Sequence, residues 1–240
     1  MTTLSNASRR AGALPLAEHF TSINGEGPRA GQLSCFLRVG GCNLSCGYCD
    51  TAWANEDDLA VEWLESDDIV ALVDEARTRC VTLTGGEPLL QPAAGEVLYA
   101  LLEHDPGLFV EVETNGSVPL EGVAALRRVT DKAPGTLRIT MDYKMPSSGM
   151  FDQMVVGNLN LLDADDVVKF VVGDVEDLSC MLDVATRHDL FRRCNVYLSP
   201  VTGVMDPALV VDFMKEHHLA DARLQLQLHR IVWPEEARGV

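Results

Sequence analysis

From Leu33 to His229, short β-rich runs alternate with helix-like runs, and this alternation limits the possible folds more than any other feature of the chain. Leu33 to Val39 reads as a strand. Asp67 and Asp68 open a helix with Ile69, Val70, Leu72, Val73 and Ala76 on one face. Further strands are predicted over Cys80 to Thr84, Leu108 to Glu113, Leu137 to Tyr143, Val167 to Val172 and Asn195 to Leu198. The run Leu224 to His229 closes the series. Helices are predicted over Ala93 to His104, over Gly122 to Arg128, around Leu178 to Ala185, and after the Asp206-Pro207 cap and first-turn pair. Such βαβα order implies a parallel sheet with helical crossovers. About six repeats fit after Leu33, fewer than the eight of a closed barrel. The expectation is an α/β fold, either a partial parallel (β/α) barrel or a doubly wound sheet. Both fold types collect chemistry at the C-terminal ends of strands. Here those ends carry Gly85-Gly86-Glu87, Glu113-Thr114-Asn115, Asp142-Tyr143-Lys144, Ser199-Pro200 and His229.

Charge and composition exclude several partners. The 240 residues carry a formal net charge of −17, with a pI near 4.6, which argues against a broad nucleic-acid face. No apolar run approaches the ~20 residues of a membrane span. The first fourteen residues hold Arg9 and Arg10 but no apolar segment after them, so no signal peptide is expected and the chain reads as cytoplasmic. Residues 1–15 read as a flexible arm and 16–240 as a single domain, since no linker or repeat divides them. Asn55 to Ala76 holds nine acids and no Lys or Arg, and reads as a solvated loop and helix face.

Seven cysteines cannot all pair within one chain. Three of them, Cys42, Cys46 and Cys49, stand at C-x3-C-x2-C spacing in one short loop. That spacing lets three thiolates face a common centre, and two readings follow. Three ligands on a four-iron cluster leave one iron open to a further molecule. Alternatively, a structural zinc takes a fourth ligand from Asp50 or a histidine. No second ligand pair stands at similar spacing, which favours the open cluster. Cys35, Cys80, Cys180 and Cys194 are isolated and read as small buried residues. Tyr48, between the second and third thiolates, offers a ring to a purine. Thr84-Gly85-Gly86-Glu87-Pro88 offers close backbone approach and a carboxylate for an ammonium group.

Together the triad, the tyrosine and the Gly-Gly-Glu-Pro turn resemble the radical S-adenosylmethionine superfamily. The resemblance implies a partial (β/α) barrel, a [4Fe-4S] cluster on Cys42, Cys46 and Cys49, and S-adenosylmethionine on the open iron. It implies that Gly85, Gly86 and Glu87 lie near the cofactor's amino group, and that reduction of its sulfonium gives a 5′-deoxyadenosyl radical.

A narrower resemblance runs from about Glu18 to Trp233. Glu18-His19-Phe20-Thr21-Ser22-Ile23-Asn24-Gly25-Glu26-Gly27-Pro28, Gly31-Gln32 and Cys35 to Gly41 are similar to the 7-carboxy-7-deazaguanine synthases, as are Cys49-Asp50-Thr51, Glu113 to Gly116, Lys144 to Gly149 and Gln227 to Arg230. Those carbon–nitrogen lyases convert 6-carboxy-5,6,7,8-tetrahydropterin to 7-carboxy-7-deazaguanine with loss of ammonia, on the route to queuosine. The resemblance implies that Ile23, Asn24, Gly25 and Glu26 hold the pterin edge, with Arg38 near its carboxylate and Glu113 and His229 completing the pocket. It implies Mg2+ at Thr51, with Tyr48, Asp50, Thr84, Gly86, Asp142, Lys144 and Ser199 lining S-adenosylmethionine. A flavodoxin- or ferredoxin-type electron donor and a homodimer are implied as well. The family often has Gln at the position of Asn24 and Ser-Pro-Lys at that of Asp142-Tyr143-Lys144; some members end on a proline, whereas Pro234 is followed by six more residues. Two rivals remain at this point. One is an activase that makes a glycyl radical on a partner protein, which need not carry Asn24 to Gly27 and Arg38. The other is a non-catalytic zinc-binding module.

Overall fold

The computed structural model describes residues 2–3, 12–56, 58–129, 135–233 and 238–239. Its strands are β1 (Thr2–Thr3), β2 (Ala13–Ile23), β3 (Leu33–Val39), β4 (Ala60–Glu65), β5 (Cys80–Gly85), β6 (Phe109–Thr114), β7 (Thr136–Lys144), β8 (Val167–Val172), β9 (Asn195–Pro200) and β10 (Ala222–Leu224). The helices are α1 (Ser66–Ala76), α2 (Ala94–His104), α3 (Glu121–Val129), α4 (Val175–Arg187), α5 (Leu190–Arg193), α6 (Pro207–Glu216) and α7 (Leu228–Val232). All ten strands join one sheet in the order β1-β4-β2-β3-β5-β6-β7-β8-β9-β10. From β3 through β10 neighbours are parallel, while β2 and β4 add an antiparallel edge. Among the described residues β1 and β10 stand at opposite ends of that order, so the sheet does not close.

The six crossovers between these parallel strands account for the repeats expected from the sequence. The crossover from β7 to β8 departs from the pattern: it is built of three short 3-10 turns rather than an α-helix. Helix α1 begins with a capping box between Glu65 and Asp68 and buries Ile69 and Val73. Helix α6 begins where Asp206 caps the Ala208 N–H and Pro207 occupies the first turn.

The two faces of the sheet differ in chemistry. Period-2 alternation sends Leu83, Val110, Val112, Ile139, Phe170 and Leu198 to the helix side, all fully buried. Tyr143 joins them there, its ring 5.7 Å from that of Phe170. The same alternation sends Ser34, Thr82, Thr84, Glu111, Glu113, Thr140, Asp142, Lys169 and Ser199 to the inner face. These strands therefore read as apolar runs interrupted at every second position by a group that needs a partner.

Three expectations are corrected. Ala13, Leu14 and Pro15 belong to β2 rather than to a flexible arm, because Leu14 and Leu16 are buried core residues; residues 1 and 4–11 of that arm lie outside the described residues. The acidic stretch contains β4, which pairs with β2 and buries Val61, although its described acids are all exposed. The closing run Leu224 to His229 is not a strand throughout. After β10 the Gln225 N–H donates to the Leu198 carbonyl, the chain turns, and His229 lies on α7. Pro234 falls outside the described residues.

Candidate active site

The cysteine loop leaves the end of β3 and is pinned by its backbone. Gly41 N–H donates to the Ala54 carbonyl at 2.8 Å, and Cys42 N–H donates to Asn55 Oδ1 at 2.8 Å. Gly47 N–H donates to the Ser148 carbonyl at 3.0 Å, and Tyr48 Oη donates to the Val171 carbonyl at 3.1 Å. The hydroxyl end of Tyr48 is thus anchored on β8, and burial pushes its pKa up to about 12. Cys42 and Cys46 are half-buried and Cys49 is exposed. Burial raises the thiol pKa values of Cys42 and Cys46, and the Lys144 ammonium opposes that. The Leu44 N–H and the Asn115 amide point at Cys42 Sγ, at 3.4 and 3.5 Å. Such donors stabilise a cluster-bound thiolate. Three free thiols on a fixed loop, with donors already aimed at one sulfur, fit a cluster ligated at three corners. A single zinc requires four donors on one point. Among the described residues no three His, Cys, Asp or Glu side chains gather tightly enough to hold one ion, and Asp50 instead accepts from Thr51 Oγ1 at 3.3 Å. Cys35, Cys80 and Cys194 are buried, as expected, whereas Cys180 is only half-buried against the core.

The glycine pair also has a packing job. A Cβ on Gly86 would lie 2.1 Å from the Gly41 carbonyl oxygen, and one on Gly85 would lie 2.2 Å from that of Val39. Gly86 N–H donates to Val39 O, and Glu87 N–H donates to Gly41 O. The absent side chains thus let β5 press directly on the cysteine loop. The expectation for Glu87 is corrected. It is fully buried, and its carboxylate accepts from Leu89 N–H, Thr114 Oγ1 and Asn115 N–H. Both oxygens are spent bracing the end of β6, so the residue does not face a ligand. Burial raises its pKa, and these donors pull against that.

Behind the loop the inner face forms one polar network. Thr84 Oγ1 donates to Glu113 Oε2 at 2.7 Å. Asn24, nearly fully buried, donates from Nδ2 to Glu111 Oε2 at 3.1 Å, and Thr140 Oγ1 donates to Glu111 Oε1. Lys169 Nζ lies 2.7 Å from Glu26 Oε2 and 3.0 Å from Asp142 Oδ1. Asp142 Oδ2 holds Lys144 Nζ at 3.0 Å, and Ser199 Oγ donates to Glu26 Oε1 at 3.3 Å. Burial alone would lift the Asp142 carboxyl, but the Lys144 and Lys169 ammoniums outweigh it and hold the pKa low. Glu113 goes the other way. Burial, reinforced by Glu111 and Glu26 and partly offset by Lys169, pushes its pKa up to about 7.

The remaining expected site residues fall around this network. Ile23 ends β2 opposite Leu33. His229 packs on Gly25: a Cβ there would meet its Nδ1 at 2.5 Å, and Leu228 N–H donates to the Gly25 carbonyl. Burial lowers the His229 pKa, while Glu26 and Asp50 raise it and Arg38 adds to the lowering. Arg38 is not a free cation, since its Nε binds Glu18 Oε1 at 2.8 Å across the β2–β3 pair. Five guanidinium donors leave both terminal amino groups for a second carboxylate. Thr51 and Asp50 lie at the solvent side beside Cys49. Glu111 and Lys169 were not anticipated. Their signal was present: charged residues inside two strands that a parallel sheet buries on both faces.

A cysteine triad beyond the first parallel strand, a glycine turn pressed against it and a polar inner face together define a radical S-adenosylmethionine protein. Residues 37–143 match the radical SAM superfamily. The chain is 46% identical over 225 residues to the 7-carboxy-7-deazaguanine synthase of Clostridium acetobutylicum, covering 94% of this chain and 98% of that one. It is 36% identical over 227 residues to that of Methanospirillum hungatei, covering 93% and 87%. The crystal structure of QueE from Escherichia coli shares the fold at a TM-score of 0.66 and 19% identity, covering 90% of this chain and 94% of that one. This chain belongs to the 7-carboxy-7-deazaguanine synthase family. The partial-barrel expectation is therefore met, and the glycyl-radical activase and zinc-module readings fall away.

Proposed function

We propose that this chain converts 6-carboxy-5,6,7,8-tetrahydropterin to 7-carboxy-7-deazaguanine with loss of ammonia, a step toward queuosine. Sequence kinship of 46% across nearly the whole of both chains supports this, and one observation carries it in the structure. Carboxylates, an arginine and a half-buried histidine meet at the end of the sheet that bears the cysteine loop. A pterin presents amine and amide N–H donors on one edge and a carboxylate on the other. Glu113 and Glu26 suit the first edge and Arg38 the second.

Cys42, Cys46 and Cys49 would hold the [4Fe-4S] cluster. Tyr48, Asp50, Thr84, Gly86, Asp142 and Lys144 would line S-adenosylmethionine, and Ser199 stands where that subsite meets Glu26. Bound there, the two cofactors would supply one-electron radical chemistry for hydrogen abstraction at C6 of the pterin. The chain's own residues bind, orient and exclude water. Glu26 and Glu113 fix the pterin edge, His229 and Gly25 close one side, and Arg38 fixes the carboxylate. Thr51 would contribute one hard oxygen to Mg2+, shared with substrate oxygens. A flavodoxin- or ferredoxin-type donor, a homodimer and a cytoplasmic location belong to the same reading. No helix among the described residues is long and apolar enough to cross a membrane.

Pterin carrying deuterium at C6 tests the reading, since the label should appear in 5′-deoxyadenosine. Unlabelled 5′-deoxyadenosine would contradict it. Arg38→Ala should lower kcat/KM for the pterin about 10- to 100-fold, the worth of hydrogen bonds to a charged group, with iron content unchanged. Turnover should also depend on the Glu113 carboxylate. With its pKa near 7, kcat/KM falls as pH drops through that value, because the protonated acid no longer accepts two N–H donors. Glu113→Gln should remove that limb from a profile recorded between about pH 6 and 9.

A further inference from the structure

Lys169 carries a charge inside the barrel that the chemistry above does not use. It sits mid-strand in β8 with only 8% of its side chain exposed. A buried ammonium persists only where it is paired, so its partners indicate its role. One is Glu26 at 2.7 Å and the other is Asp142 at 3.0 Å. Those two carboxylates come from different elements, the turn after β2 and the inner face of β7. Under the function proposed above, Glu26 faces the pterin and Asp142 faces S-adenosylmethionine.

The surroundings are strongly acidic. Glu111 and Glu113 on β6 lie on the same inner face as Glu26 and Asp142, and His229 on α7 lies near Glu26. Lys144 is the other lysine in the network, and it binds the far oxygen of Asp142 rather than Glu26. Ser199 gives Glu26 a neutral hydrogen bond. Lys169 is therefore the single full positive charge in contact with Glu26 among the described residues. Lys169 opposes the burial that lifts the Glu111 and Glu113 carboxyls.

We infer that Lys169 is a positioning residue for the reaction: its ammonium holds the Glu26 carboxylate aimed at the pterin and ties it through Asp142 to the neighbouring cofactor subsite. This rests on the proposed pterin-binding role of Glu26. Without the ammonium, Glu113 takes up its proton at higher pH, and a protonated acid no longer accepts two donors from a pterin edge. The predicted signature is a displaced pH profile. A side chain that only filled space would weaken binding equally at every pH.

The test uses the anaerobically reconstituted holoenzyme and 6-carboxypterin as a fluorescent probe, with Kd measured across pH. In the wild type, affinity falls on the acid side. In Lys169→Met that limb should move up by about 1 pH unit or more, as expected on losing a nearby opposite charge. Lys169→Gln, which keeps hydrogen bonding without the charge, should show the same displacement and serves if the methionine variant does not fold. Lys169→Arg should leave the limb near its wild-type position. A limb that stays in place in the methionine or glutamine variant overturns the inference alone. Failure of the wild-type protein to bind 6-carboxypterin at any pH overturns the proposed function and this inference with it.

Discussion

Replacing Cys46 by alanine is expected to leave the reconstituted protein almost free of iron and without the broad absorption of an iron–sulfur cluster. Cys180→Ala should reconstitute like the wild type. Both residues are half-buried free thiols, so exposure alone does not separate them. Their settings do. Cys46 lies in a loop fixed at Gly41, Cys42, Gly47 and Tyr48, beside two thiols at the spacing of a three-cornered site. Cys180 lies on α4 against the apolar core, with acidic neighbours that raise its pKa further after burial has done so. The expected loss is from about four irons per chain to background, with loss of 5′-deoxyadenosine formation. Iron and sulfide analysis reads it directly. Normal iron content in the Cys46 variant would contradict the ligand assignment.

The second large effect comes from one methyl group. Gly86→Ala should destabilise the protein and reduce cluster yield together, because the new Cβ would sit 2.1 Å from Gly41 O and 3.0 Å from Cys42 N. These are backbone atoms, so neither contact can be relieved by turning a side chain. Overpacking of this kind costs about 1–3 kcal/mol or more. In a chain of this size that lowers Tm by about 2 to 12 °C. Any relief moves the backbone that carries the first cluster ligand. Gly95→Ala, in the first turn of α2, is the control: nothing lies within 4 Å of its added Cβ, and alanine suits a helix better than glycine does. Thermal melts and iron content of the two variants check the pair. A Gly86 variant indistinguishable from the Gly95 variant would show that the turn does not support the loop.

Much of the fold could be read from period-2 and 3.6-residue patterning. Leu33–Val39 and Val167–Val172 are observed with the bounds their residue types predict, because each is a mostly apolar run between clear breaks. Strand β2 was hidden because its first residues, Ala-Leu-Pro-Leu, look like the end of a loose arm; their burial depends on pairing with β4, which is remote in sequence. His229 was placed on a strand because six residues cannot separate a short strand with a following turn of helix from one longer strand. At the site, residue identity singled out the cysteine loop, Glu113, Asp142 and Arg38. It could not show how each group is already partnered. Glu87 is spent on the end of β6, and Arg38 reaches the pocket already bound to Glu18. Glu111 and Lys169 escaped notice because each sits inside a run that otherwise looks like core, and only the register of neighbouring strands reveals a polar inner face.

The net charge of −17 takes on a clearer meaning beside that network. An acidic protein that receives an anionic substrate must do so with a few local cations. Within the site these are Arg38, Lys144 and Lys169, each held by at least one carboxylate. Pairing of this kind keeps the cations in place and lets the inner face remain polar without water.

The most direct measurement is an anaerobic turnover assay with reductant, S-adenosylmethionine, Mg2+ and 6-carboxy-5,6,7,8-tetrahydropterin, with the products separated by liquid chromatography and identified by mass. The expected result is 7-carboxy-7-deazaguanine together with 5′-deoxyadenosine. Formation of 5′-deoxyadenosine without the deazapurine, from protein with its full complement of iron, would contradict the substrate assignment.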